Sequence, residues 1–277
     1  MEKKFLALYF DAPSLAFGFE SRHDRRGTAP FPTRSAVTGI LCAACGAERG
    51  DEAFLAKMSA LEMVALELPR VVEKRFDGKL RKVRLSASNF LDYHTVGGGY
   101  DKDKERDKMQ IPRTADGKAG GTALSYREYL TDVKFGVIVG GDAATLETLA
   151  AKLTDPVWGV WFGRKCCVPA SPVFQGVYDD KASAARRLFD LCEIAELPTP
   201  EEEAESEDEK KAAPNERTYR LIRDAKPDDD ETQVLYDVPV TFERSRRGLG
   251  EEFKRRRVVV LTRNFADRET FVEDFGE

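Results

Sequence analysis

The segment Lys4–Phe10 is apolar at consecutive positions rather than at alternate ones. That pattern predicts a central strand buried on both faces. Residues 11–34 show no clean period and carry Pro13, Gly18, Gly27, Pro30 and Pro32 with Arg22, His23, Arg25, Arg26 and Arg34, which predicts a basic loop. Val37, Ile40, Leu41 and Ala44 then recur at helical spacing, so a helix should begin near Ser35 and end at Gly46. A short helix over 52–61 follows, then a strand over 63–75 with 80–86 as its partner across Asp77-Gly78. Residues 87–126 hold Gly97-Gly98-Gly99, a run of alternating charge, and Gly117, Gly120 and Gly121. Little there can pack, so a long projecting hairpin or excursion is expected.

Strand spacing returns at Val133, Phe135, Val137 and Val139, with a turn expected at Gly140-Gly141-Asp142. Leu146, Leu149, Ala150 and Leu153 mark an amphipathic helix, and Val157–Phe162 a further strand. Strand, helix, strands, helix, strand is the split βαβ order of an α+β domain, ferredoxin-like or RRM-like, over residues 1–180. RNA-binding versions of that sheet leave one face open. Residues 198–216 form an acidic linker or insertion with the composition of disorder. Beyond it, 217–223, 234–242 and 257–262 read as strands of a small C-terminal unit over 217–277. No internal repeat of fixed period is present.

With 277 residues, 42% of them hydrophobic, the chain can bury a substantial core. No apolar run approaches the roughly 18 residues a bilayer-spanning helix needs. Five cysteines without a recognisable leader suggest reduced thiols and a cytoplasmic setting. The net charge of −5 is misleading as an average. Residues Thr199–Lys211 carry seven acids against two lysines, so that stretch alone accounts for the excess. Arg244–Arg257 carry seven cations against two acids. An acidic protein with local basic patches can still hold a polyanion.

The candidates for metal and nucleotide chemistry are weak. Cys42-Ala-Ala-Cys45 stands alone inside a predicted helix, and Cys166-Cys167 lacks zinc-ligand spacing, so core thiols are expected. No Gly-Lys-Ser/Thr follows the triple glycine, which argues against a phosphate loop. No metal or other cofactor is called for.

Four short stretches carry more. Phe31-Pro32-Thr33-Arg34-Ser35 opens the first helix, where free N–H groups and Arg34 suit a phosphate, or where Thr33 or Ser35 is simply the cap. Asp92-Tyr93-His94-Thr95-Val96 offers an aromatic, an imidazole and a hydroxyl to bases or ribose, or else anchors the hairpin. In Tyr126-Arg127-Glu128-Tyr129-Leu130, Arg127 faces RNA or pairs with Asp92 or Asp132. Phe162-Gly163-Arg164-Lys165 turns sharply and presents two cations, or is a plain turn.

In this order these stretches resemble the CasD-type subunits of CRISPR Cascade complexes, the E subtype of Cas family five. The resemblance runs through Phe31–Leu41, Asp92–Val96, Tyr126–Asp132, Gly163–Cys167 and Pro172–Gly176, covering most of residues 4–178. It is thin C-terminally, and Cys166, Cys167 and Val168 stand where the family has a serine and a proline. The resemblance implies an RRM-like palm with a projecting thumb hairpin over about 87–126. It implies a non-catalytic subunit that grips the 5′ handle of the CRISPR RNA and caps a filament of backbone subunits. The large subunit would be a neighbour, and target DNA would be met only through the complex. Arg34 and the N–H groups after it would hold phosphates, with Arg22, Arg25 and Arg26 along the same groove. Tyr93, His94 and Thr95 would touch handle nucleotides, and Arg127, Arg164 and Lys165 would add charge. In a sister subtype the equivalent subunit cuts RNA without metal, and His94 with Tyr93 would be the acid–base pair for that alternative; a further alternative is an RRM-like RNA-binding module unrelated to CRISPR.

Overall fold

The computed structural model describes residues 2–19, 21, 24–96, 122–192, 217–243, 252–265 and 267–276. Strand β1 (Lys3–Phe10) leads through the two-residue strands β2 (Phe17–Gly18), β3 (Arg25–Arg26) and β4 (Thr28–Ala29) to helix α1 (Arg34–Cys45) and helix α2 (Glu52–Ser59). Strands β5 (Glu62–Phe76), β6 (Lys79–Leu85), β7 (Ser88–Val96), β8 (Ala123–Thr131) and β9 (Val133–Asp142) follow, then helix α3 (Ala143–Thr154), strand β10 (Phe174–Tyr178) and helix α4 (Lys181–Leu191). The chain ends in β11 (Thr218–Asp224), β12 (Thr232–Pro239), β13 (Phe253–Asn264) and a short helix α5 (Arg268–Glu273).

The main sheet runs β10-β1-β9-β5-β11-β13-β12, with β6 paired to β5, and its ladders are antiparallel. β1 and β5 both flank β9, so α1 crosses between strands that are parallel to one another. α3 does the same between β9 and β10, across β1. The continuous apolar run of β1 is explained by its place in the sheet. Leu6, Leu8 and Phe10 enter one core with Val37, Ile40 and Leu41 of α1 and Leu146 and Leu149 of α3. Phe5, Ala7 and Tyr9 enter a second core under Leu188 and Phe189 of α4 and Phe271 of α5. The β5–β6 hairpin turns where the sequence predicts, with both Asp77 (φ 47°) and Gly78 (φ 82°) left-handed, as a tight two-residue turn requires.

Several expectations need correction. Val157–Phe162 is not a strand; the fourth strand of the core is Phe174–Tyr178. The N–H groups of Val157 and Trp158 instead bond the Ala44 and Ala43 carbonyls in the last turn of α1. Gly140-Gly141-Asp142 is not a turn but the end of β9, paired with Phe5, Lys4 and Lys3. The Asp142 carboxylate caps α3 directly, accepting from the Thr145 N–H at 2.9 Å, so no loop is needed. The basic loop 11–34 contains β2, β3 and β4. Residues 88–96, expected to pack little, pair along their whole length with β8. The C-terminal strands do not form a sheet of their own: β11 pairs with β5 and extends the main sheet. The expected tip of the excursion, residues 97–121, and the acidic stretch 198–216 lie outside the described residues. Among the described residues no helix is long and apolar enough to cross a membrane.

Candidate nucleic-acid interface

A second sheet, ordered β3-β8-β7, stands beside the main one and gathers six of the twelve sequence candidates: Arg25, Arg26, Tyr93, His94, Thr95 and Arg127. β7 and β8 are antiparallel, while β3 runs parallel to β8. The register sets Arg25 beside Tyr126 and Tyr126 opposite Tyr93. Side chains in one such row share a face. The Tyr93 and Tyr126 ring centroids are 5.4 Å apart, and the Arg25 guanidinium lies 5.8 Å from the Tyr126 ring. Tyr93 is 54% exposed, and Arg25 is exposed at the outer strand. An open row of two aromatic rings and one cation can stack on bases and pair with phosphates.

The opposite face carries the neighbouring row, Arg26, Arg127 and Asp92. Arg127 donates from Nε to the Ser125 Oγ at 3.1 Å. His94 Nδ1 lies 3.6 Å from Asp92 Oδ2, one strand period away on the same face. Thr95 is exposed near the end of β7, opposite Leu124. This face therefore offers two guanidinium groups and an imidazole.

Arg164 fastens the small sheet to the body. Its guanidinium donates to the Glu128 carbonyl at 2.6 Å and the Arg26 carbonyl at 2.8 Å, and sits 4.4 Å over the Tyr129 ring. Gly163 makes that reach possible. It has φ 86°, and a Cβ there would meet the Ala16 carbonyl oxygen at 1.7 Å, so no other residue fits. Lys165 is exposed, with Nζ 5.6 Å from the Trp161 ring. Arg164 thus positions β3 and β8, and Lys165 next to it is an exposed cation.

The family model described as CRISPR-associated protein (Cas_Cas5) matches residues 5–255. The chain belongs to the CRISPR-associated Cas5 family. It is 27% identical over 177 residues, 63% of its length and 71% of the other's, to the CRISPR system Cascade subunit CasD of Escherichia coli strain K12. The Cas5 fold is also that of a chain in a solved CRISPR RNA-guided surveillance complex, with a TM-score of 0.62, 23% identity and 98% of each chain covered. A solved Cas protein superposes with a TM-score of 0.50 at 21% identity over 95% of each chain.

Not every candidate belongs to the interface of this Cas5 chain. Arg34 is 5% exposed and spends its guanidinium inside the protein. It donates to the Ser59 and Leu61 carbonyls at 2.9 and 2.7 Å and to Asp224 Oδ2 at 2.6 Å. The first free N–H of α1, that of Arg34, is taken by Asp237 Oδ2 at 2.7 Å. A carboxylate of the chain itself thus sits where a phosphate was expected, satisfying the positive end of the helix. Arg256 completes the cluster, forking Asp237 at 2.7 and 2.8 Å and reaching Asp224 at 2.7 Å. Thr33 is fully buried and caps the helix through the Ala36 N–H, and its hydroxyl lies 3.1 Å from that of Ser35. Thr33 and Arg34 are therefore structural, while Ser35 is half-buried. Arg22 and His23 lie outside the described residues.

Tyr126 lies in the Arg25–Tyr93 row, although sequence reasoning left it out of the candidate site. The signal was present: Asp92 opposite Arg127 fixes a register in which Tyr93 must face Tyr126. Asp224, Asp237 and Arg256 were not accessible, since only the fold brings them to Arg34. Cys42 and Cys167 are core thiols as expected, Cys45 is half-buried, and Cys166 is exposed, against the expectation. Cys42 is buried, and burial followed by the neighbouring Cys45 pushes its thiol up to about 12. At pH 8 that leaves roughly one thiolate in ten thousand, and the thiolate is the reactive form. Brief alkylation at pH 8 is expected to modify exposed Cys166 and spare Cys42, as read by peptide mass spectrometry.

Proposed function

We propose that this chain is a non-catalytic, CRISPR-RNA-binding subunit of a Cascade-type surveillance complex. In this reading it holds the 5′ handle of the guide RNA and caps the filament of backbone subunits. The observation that carries it is the row Arg25–Tyr126–Tyr93, a stacking and phosphate-pairing surface on the small β3-β8-β7 sheet. The β10-β1-β9-β5 core with its two crossing helices supports a ferredoxin-like, RRM-like palm. The β7–β8 ribbon is the root of the thumb. Arg26, Arg127 and Lys165 extend the charge, with His94 and Thr95 toward the tip. The backbone and large subunits are the protein partners, and target DNA is reached through the assembly, where pairing to the guide supplies sequence.

The alternative of metal-independent RNA cleavage needs a base at the ribose 2′-OH and an acid at the leaving oxygen. Tyr93 and His94 are consecutive in a strand and point to opposite faces of the ribbon, so they cannot flank one phosphodiester. Incubating the purified chain with labelled repeat RNA in EDTA is expected to give bound but intact RNA. Cleavage at one position, abolished by His94→Ala, would establish the alternative instead.

A further inference from the structure

The surface just described uses none of the seven cations between Arg244 and Arg257. The described part of that run, Lys254–Arg257, lies in β13, where alternation divides it. Arg256 points toward α1 and is held by Asp224 and Asp237. Arg255 and Arg257 point to the other face of the sheet, and both are exposed. The register sets Tyr236 directly opposite Arg255 and Val234 opposite Arg257. Tyr236 is 66% exposed and Val234 54%. α1 and α2 pack against the other side of β12, while α4 and α5 lie over the far part of the sheet. Among the described residues this corner of the second face is therefore uncovered, although it is built like a platform.

We propose that the Tyr236–Arg255 face of β12 and β13 is a second contact for single-stranded nucleic acid, separate from the β3-β8-β7 sheet. An exposed tyrosine on an open sheet offers a stacking surface that tolerates any base, and flanking guanidinium groups neutralise phosphates. Charge decides for a polyanion over an apolar protein segment. Among the described residues, Arg255 has no carboxylate opposite it, and Arg257 is held by the Thr232 hydroxyl alone, at 2.7 and 3.2 Å. The acids of the preceding turn lie past Thr232, at the end away from Tyr236, and Asp229 among them is already forked by Arg223 at 2.7 and 2.9 Å. The occupant is a strand with unpaired bases. Guide RNA and displaced DNA share that chemistry.

The test uses the full chain and 12-residue oligo(U) and oligo(dT) probes lacking any handle, with photoreactive 5-iodo bases. Tyr236→Ala combined with Arg255→Glu is expected to weaken binding of such a probe about tenfold, while Tyr236→Phe restores at least half of the loss on a logarithmic scale. Crosslinks are expected on the peptide spanning Thr232–Pro239, with the stronger arm, RNA or DNA, identifying the source. The substituted side chains are exposed, so unchanged thermal melting keeps the comparison valid. Unchanged affinity of the double variant, or crosslinks confined to β7 and β8, would overturn the proposal. So would protection of Tyr236 from hydroxyl-radical labelling by a partner protein and not by either oligonucleotide. Handle-RNA affinity, measured in parallel, should change less than twofold, which separates failure here from failure of the first surface.

Discussion

Asp237→Ala is expected to lower stability by about 3–5 kcal/mol, the range for breaking a buried ion pair from one side. In a chain of this size that is a fall in the thermal midpoint of roughly 10 °C. Asp237 is 2% exposed and serves three donors at once: the Arg34 N–H that opens α1, and two nitrogens of Arg256. Alanine leaves a helix terminus and a buried guanidinium without their shared partner. Asp224 belongs to the same cluster, but its side chain is 52% exposed. Water can replace it, so Asp224→Ala should cost about 1 kcal/mol. A chemical-denaturation series comparing the two checks the account. Equal effects would mean that burial does not set the worth of the cluster. The same geometry makes Arg34→Glu a folding variant rather than a probe of RNA affinity.

That reversal shows where sequence reading reached and where it stopped. Local signals were sound: helical spacing located α1, Asp77-Gly78 located a hairpin, and the buried run Lys4–Phe10 predicted an internal strand. The failures were tertiary. Arg34 at a helix start looks free for a phosphate because its competitor, Asp237, is 203 residues away in sequence. Val157–Phe162 has strand composition, yet its backbone is drawn onto the end of α1. The C-terminal strands were legible one by one, but their attachment to β5 is a matter of register between distant segments. The interface fared better because it rests on a hairpin. Tyr93 and Arg127 are placed by local pairing, whereas β3 joins them through a parallel bridge that no short-range pattern announces.

Arg25→Glu combined with Arg127→Glu is expected to weaken binding of a handle RNA about 100-fold near physiological salt. The two residues lie on opposite faces of the small sheet, so the substitution tests whether RNA wraps the ribbon. Each lost phosphate contact should also reduce the slope of log K against log salt by about 0.7. A drop of about 1.4 in slope indicates that both contacts are phosphates, and a drop of half that means one face alone is used. Neither side chain makes a buried ion pair in the protein, and Arg127 spends only its Nε on Ser125. Folding should be unaffected, as a melting curve will show. Tyr93→Ala, which removes a ring from the exposed row, should weaken binding with no change in salt slope, because stacking releases no counterion.

The central claim is that the β3-β8-β7 sheet holds the guide RNA. Crosslinking within the assembled complex tests it most directly, using a CRISPR RNA that carries photoreactive uridines only in its 5′ handle. Peptides containing Arg25–Arg26, Leu91–Val96 and Ala123–Glu128 of this chain are expected to carry the crosslinked nucleotides. Handle crosslinks that fall wholly on other subunits, or on this chain only outside those three segments, would contradict the claim.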